Sequence, residues 1–296
     1  LALAQTQEVI AALGRARPEL AAPGAIKTVV IKTTGDRILN QTLVDKGGKG
    51  LFIKEIEDAL AQGLIDAGVH SAKDMPSQLP PSMTIGCVLP RADPRDAFFC
   101  NKAQTLETLL PRHIVGTASP RRQALTLAKR PDLMVILMRG NVDTRLDKLD
   151  RGEVDATILA VAGLQRLGLT HRIQSYLDPT EFVPAAGQGT IALEIRSDDS
   201  KTADLVAVIN DPLNSAILAA ERSVVAALDG SCNSPIAAWG RVEGDRFILD
   251  ALAAQPDGTQ IHRHRQAGPI GEIGQIGAET GQALKAQLPA DFFAAA

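Results

Sequence analysis

Apolar residues recur at helical spacing over Leu3–Leu13 and Leu51–Gln62, while short apolar runs at Lys27–Lys32 and Leu64–His70 predict strands. The second of these strands runs into Ser71-Ala72-Lys73-Asp74, and the polar, glycine-bearing stretch Thr34–Gly50 reads as a mobile loop. After a turn-rich Pro90-Arg91-Ala92-Asp93-Pro94 linker, the alternation resumes. A strand is predicted at His113–Gly116, a helix at Pro120–Arg130 stopped by Pro131, a strand at Leu133–Met138, a helix at Thr144–Leu149 and a strand at Ala156–Ala160. Ala185-Ala186-Gly187-Gln188-Gly189 reads as a connector, and a strand at Thr190–Arg196 is expected to return to the first sheet, so that two crossings join two lobes. From Asp211 the pattern changes to a long helix ending near Leu228 and three strand-like runs, Ile236–Val242, Phe247–Ala253 and Thr259–Arg265. The turn Pro256-Asp257-Gly258 makes the last two a hairpin, and a helix over Ile273–Leu288 closes the chain.

The expected fold class is therefore α/β, with two lobes and a small C-terminal α+β domain carrying a three-stranded antiparallel sheet. The expected division is 1–90 with 190–208, then 95–185, then 212–296. The chain's 296 residues suit two or three domains, and 45% apolar with 22% charged residues excludes a disordered tail, a collagen-like rod or a coiled coil. No apolar run reaches the roughly 18 residues of a bilayer span. Three scattered cysteines, Cys87, Cys100 and Cys232, form neither a disulfide framework nor a zinc knuckle and fit a reducing, cytoplasmic setting. No metal site is expected. The sequence opens on Leu1 rather than Met, without a signal-peptide pattern, and further N-terminal sequence is expected to precede it.

The net charge of −3 argues against a globally basic nucleic-acid binder. Its distribution is uneven, because Arg112–Arg151 holds nine Lys/Arg against four Asp/Glu, a local +5 that leaves −8 elsewhere. Such a segment is either a solvated face or the seat of a small polyanion. Gly116-Thr117-Ala118-Ser119-Pro120-Arg121-Arg122 places a capping serine, a first-position proline and two guanidinium forks at one helix start, which suits a carboxylate or phosphate; the alternative is an ordinary capped helix. Arg139-Gly140-Asn141, at the carboxyl end of a predicted strand, and Arg145 point more cations toward the same edge, and Arg166 is a further candidate. Asp74, also just past a strand end, can stabilise a cation or orient an N–H donor, or else form a loop pair with Lys73. His70 is expected to pack at its strand end rather than act as a base. Cys232, after a helix C-terminus, is a nucleophile, a covalent anchor or an inert thiol. Lys46-Gly47-Gly48-Lys49-Gly50 lacks the spacing of a nucleotide P-loop.

Gly47-Gly48-Lys49-Gly50-Leu51-Phe52, His70-Ser71-Ala72-Lys73-Asp74, Asp93-Pro94-Arg95-Asp96-Ala97-Phe98, Arg121-Arg122-Gln123, Arg139-Gly140-Asn141 with Thr144-Arg145, and Gly187-Gln188-Gly189 follow one another in a family order. With this series the chain resembles the porphobilinogen deaminase (hydroxymethylbilane synthase) family over nearly its whole length. The resemblance implies two lobes like type II periplasmic binding proteins and a third domain. It implies a transferase of porphyrin and haem biosynthesis that joins four porphobilinogen units head to tail, releases ammonia at each step and frees hydroxymethylbilane by hydrolysis. The chain would grow on a dipyrromethane cofactor held by a thioether to Cys232. Asp74 would stabilise the azafulvene cation left when ammonia departs. Lys73, Asp74, Thr117, Ser119, Arg121, Arg122, Arg139 and Gly140 would hold the cofactor. Lys49, Phe52, Arg139, Arg145, Arg166 and Gln188 would meet porphobilinogen and the bound polypyrrole intermediates. The implied protein is a cytoplasmic monomer with no nucleic-acid or membrane partner. The sequence departs from the family at Asp45, where a lysine is common, and starts just after the point where members carry Arg-x-Ser-Pro. The rival reading is a two-lobed solute- or effector-binding protein that traps a carboxylate ligand.

Overall fold

The computed structural model describes residues 1–33, 53–230 and 234–293. The loop expected at 34–50, with Lys49 and Phe52, and the proposed anchor Cys232 lie outside the described residues. The strands, in chain order, are β1 (Ala67–Ser71), β2 (Met83–Val88), β3 (Asp96–Cys100), β4 (Ile114–Thr117), β5 (Met134–Leu137), β6 (Ala156–Ala160), β7 (Ser175–Tyr176), β8 (Ile191–Arg196), β9 (Ile236–Glu243), β10 (Arg246–Ala254) and β11 (Ile261–Pro269).

The first sheet has the order β1-β8-β2, and β8 pairs antiparallel with both neighbours. The strand read as Thr190–Arg196 thus returns to the first sheet, and it takes the central position. Its sequence Ile-Ala-Leu-Glu-Ile-Arg is buried through Ile195, as a strand covered on both faces must be. One face meets Val9 and Leu13 of the Ala2–Ala16 helix, whereas the other holds Ala72, Met75 and Leu218. The run Lys27–Lys32, read as a strand, belongs to no sheet among the described residues, and Val30 is 67% exposed. Its β-branched residues favour a strand, but propensity alone does not pair it, and Val29 and Val30 are left exposed rather than packed on a sheet face.

The second sheet, β5-β4-β6-β3-β7, is mixed: β4 runs parallel to β5 and β6, while β3 runs antiparallel to β6 and β7. Every residue of β3 is buried, so this strand lacks the alternation that marks a half-exposed one. Helices Pro120–Lys129 and Val142–Asp150 connect its parallel strands. The third sheet is the antiparallel meander β9-β10-β11. Ile217, Val224, Ile276 and Leu284, from the helices Pro212–Ala227 and Ile273–Ala286, cover one of its faces. Ala237, Leu252 and Ala254 share one core with Phe98 of β3 and Leu125 of the Pro120–Lys129 helix.

The β10–β11 turn tightens that contact. Gly258 has φ +73°, and a Cβ there would lie 2.4 Å from the Ala128 amide nitrogen and 2.6 Å from the Ala124 carbonyl oxygen. Gly258→Ala is expected to destabilise the protein by about 1–3 kcal/mol from the left-handed backbone alone. Displacement of the turn from the helix that carries Arg121 and Arg122 should add to this loss. An unchanged melting temperature in that variant contradicts the docking of the third unit on this helix.

Candidate active site

The Pro120–Lys129 helix begins as its sequence dictates, with Ser119 at the N-cap accepting from the Arg122 amide at 3.4 Å and Pro120 in the first turn. Thr117 is buried at the end of β4, where its hydroxyl accepts from the Ser119 amide at 3.1 Å. Arg121 and Arg122 are both buried and close on the carboxylate of Asp96, the first residue of β3. Arg121 Nη2 donates to Asp96 Oδ2 at 2.7 Å, and Arg122 donates to Oδ1 through Nη2 at 2.8 Å and Nε at 3.2 Å. Their remaining arms donate to the carbonyls of Val183 at 2.8 Å and Ile158 at 2.9 Å. The two guanidinium groups hold the Asp96 carboxyl well below the usual carboxylate range despite its full burial. Arg121 Nε is buried without a hydrogen-bond partner among the described residues.

Gln188 is fully buried on the return crossing, where Nε2 donates to Asp96 Oδ1 at 2.9 Å and to the Pro94 carbonyl at 2.7 Å. The two crossings therefore meet at the carboxylate that holds the arginine pair. A second buried carboxylate, Glu221, fastens the same region: Arg91 Nη1 reaches it at 2.5 Å, and the amides of Gly187 and Gly240 donate to it at 2.6 and 2.7 Å. Gly189, with φ +91°, lets the crossings touch, because a Cβ there would stand 2.6 Å from the Ala92 carbonyl oxygen.

Arg139 and Gly140 follow β5, and Asn141 caps the next helix by accepting from the Thr144 amide at 2.8 Å. The Gly140 carbonyl accepts from Arg145 Nε at 2.8 Å, while Arg139 Nε is buried with no hydrogen-bond partner among the described residues. Arg145 is lowered from 12.5 to about 10, first by burial and then by Arg122, with Arg139 adding to the shift and Asp74 opposing it. Lys73 is lowered from 10.5 to about 8, chiefly by burial, with Asp74 and Asp96 opposing the shift and Arg122 and Arg121 adding to it. These shared effects place Lys73, Arg121, Arg122, Arg139 and Arg145 in one electrostatic neighbourhood with Asp96 and Asp74. Five cations there face two carboxylates, a surplus of three positive charges when Lys73 is protonated. Asp74 ends the short helical turn Ala72–Asp74 after β1 and is exposed.

Arg166 is engaged differently, with Nε donating to Glu8 Oε2 at 2.9 Å and Nη2 to the Gly189 carbonyl at 3.1 Å. His70 is buried at its strand end, and its Nε2 lies 2.9 Å from Glu194 Oε2. Asp96 and Glu221 are the two residues whose part in this architecture was not read from the sequence. Nothing local in Asp93-Pro94-Arg95-Asp96-Ala97-Phe98 marks Asp96 as the partner of two distant arginines. Glu221 had a usable signal, since it lies between Ile217 and Val224 on the buried stripe of its helix, where a carboxylate requires a partner.

Two family patterns cover most of the chain: "Porphobilinogen deaminase, dipyromethane cofactor binding domain" over residues 1–204 and "Porphobilinogen deaminase, C-terminal domain" over residues 216–286. The porphobilinogen deaminase of Nitrobacter hamburgensis is 48% identical over 293 residues, covering 99% of this chain and 92% of that protein. The enzyme of Paracoccus denitrificans is 45% identical over 99% of this chain and 93% of its own length. The chloroplastic enzyme of Oryza sativa is 44% identical over 99% of this chain and 83% of its own. Among solved structures, the methionine-binding protein MetQ overlaps 73% of this chain and 85% of that one, with 14% identity and a TM-score of 0.43.

Proposed function

We infer the reaction from one premise, that the chain belongs to the porphobilinogen deaminase family. It is a transferase, a hydroxymethylbilane synthase of tetrapyrrole biosynthesis that condenses four porphobilinogen molecules head to tail with release of ammonia. The observation that carries this reading is the surplus of cations around Asp96 beside the exposed carboxylate of Asp74. Porphobilinogen bears an acetate and a propionate, and buried guanidinium groups without counter-ions are costly until such anions neutralise them. Among the described residues the Nε atoms of Arg121 and Arg139 have no hydrogen-bond partner, which fits carboxylate ligands and the dipyrromethane cofactor alike.

Bound through a thioether to Cys232, the dipyrromethane would supply the primer on which the product is built. Lys73, Thr117, Ser119, Arg121, Arg122, Arg139 and Gly140 would hold its side chains. Arg139 and Arg145 take the carboxylates of the incoming substrate, Arg166 and Gln188 contribute from the side of the crossings, and the roles that the family likeness implies for Lys49 and Phe52 fall outside the described residues. Asp74, with Lys73 behind it, stabilises positive charge as ammonia leaves the substrate and accepts from pyrrole N–H groups. Among the described residues no helix is long and apolar enough to cross a membrane. We take the enzyme to be a cytoplasmic monomer without nucleic-acid partners.

Alanine substitutions separate ligand contacts from structural ones. Arg139→Ala and Arg145→Ala should leave the melting temperature nearly unchanged and stall elongation, so that enzyme–intermediate complexes accumulate in native mass spectra. Each lost charge-assisted contact is worth about 1.5–3 kcal/mol of binding. Arg121→Ala and Arg122→Ala should also lower stability, since each removes a partner from buried Asp96. Normal turnover of porphobilinogen and no stalled species in Arg139→Ala and Arg145→Ala contradict the carboxylate assignment.

A further inference from the structure

We propose that Asp96 is a positioning residue for the reaction: its buried carboxylate sets the geometry and the net charge of the Arg121–Arg122 pair and ties both to the hinge through Gln188. This rests on the reading of that pair as a carboxylate-binding element. Three separate parts of the chain converge on this one side chain. Asp96 opens β3 directly after the first crossing, the two arginines open the helix after β4, and Gln188 belongs to the return crossing.

The division of labour between the two oxygens is what makes the carboxylate a template. Oδ2 takes Arg121, while Oδ1 takes Arg122 twice and Gln188 once. Two adjacent helical residues point about 100° apart around their axis. A single acceptor between them therefore brings both guanidinium planes to one place, and the Val183 and Ile158 carbonyls hold the outer arms. One negative charge against two positive ones leaves the pair net cationic and still able to attract an anion. Complete neutralisation would remove that attraction, and no neutralisation would leave two buried charges repelling each other. Because Gln188 donates to the same Oδ1 and to Pro94, movement of the crossings is felt by the arginine pair.

The arrangement has a readout that a purely structural role does not produce. Lys73 is acted on by Asp74, Arg122, Asp96 and Arg121, and of these Asp96 is one of the two groups that favour its charged form. A charged Lys73 favours carboxylate binding, so that kcat/KM should fall as pH rises through about 8 in the wild type. Removal of the Asp96 charge should move this alkaline limb to lower pH.

The test compares Asp96→Asn and Asp96→Glu in the loaded enzyme, with porphobilinogen as substrate, by pH profile and by KM against kcat. Asp96→Asn should raise KM roughly ten- to hundredfold, the range of a lost charge-assisted contact, with a smaller change in kcat. Its alkaline limb should move to lower pH, as loss of a nearby negative charge implies. Asp96→Glu keeps the charge but displaces the oxygens by one methylene; it should keep the limb near the wild-type position and still raise KM. Wild-type KM and limb in Asp96→Asn overturn the proposal. If Asp96→Asn does not fold, Asp96→Glu decides, and wild-type KM there overturns it; failure of both to fold makes Asp96 a folding residue and overturns it as well. A wild-type protein that does not turn over porphobilinogen fails the underlying reading instead.

Discussion

Asp74→Asn is expected to lower kcat roughly 10²–10³-fold, the loss seen when one preorganised electrostatic partner is withdrawn from a transition state. The KM for porphobilinogen should change far less. The side chain is exposed at the end of the Ala72–Asp74 turn, so the substitution removes a charge without opening a cavity. The carboxamide has nearly the same shape and keeps an acceptor oxygen for a pyrrole N–H, so ground-state binding survives. It cannot balance a full positive charge when ammonia departs, and an interaction made only in the transition state appears in kcat. Lys73 and Arg145 lose an opposing negative charge in this variant, because Asp74 favours the charged forms of both. The fold should be unaffected, and an unchanged kcat removes Asp74 from the chemistry.

Cys232→Ser is expected to have a still larger effect. The hydroxyl forms no thioether under these conditions, so the variant should be unprimed and its activity should fall at least about a thousandfold, in keeping with the loss of a covalent group. Circular dichroism should stay native, since Cys and Ser side chains differ by a single atom. The unprimed protein should unfold more readily and be more sensitive to protease, because a ligand that binds only the folded state stabilises it. Its carboxylates would otherwise compensate the surplus cations around Asp96. Full activity in Cys232→Ser removes the thioether from the account.

Much of the fold could be read in the sequence because local rules decided it. Pro120 and Pro131 bracket one helix, the Pro256-Asp257-Gly258 turn marks one hairpin, and the apolar stripe through Ile217 and Val224 marks the long helix. β3 is not legible because burial on both faces erases its alternation, and Lys27–Lys32 reads as a strand because β-propensity is local and does not say whether the run pairs. The cation-rich edge was legible as a run of arginines on helix starts. Its organisation was not, because the contacts of Asp96 with Arg121, Arg122 and Gln188 span 25, 26 and 92 residues of sequence. The placement of Arg166 against Glu8 and Gly189 likewise depends on how the lobes meet, across 158 residues in one case.

The central claim, an enzyme primed by two pyrroles on its own cysteine, is tested most directly by the intact mass of the purified protein after denaturation and alkylation. Cys87 and Cys100 are buried free thiols, and burial pushes the Cys87 thiol up to about 12, so both require unfolding to react. The account predicts two alkylated cysteines of the three, with a remaining mass excess equal to two linked pyrroles located on the peptide that holds Cys232. Three alkylated cysteines and no excess, persisting after incubation with porphobilinogen, would contradict it and leave a two-lobed protein that only binds carboxylates.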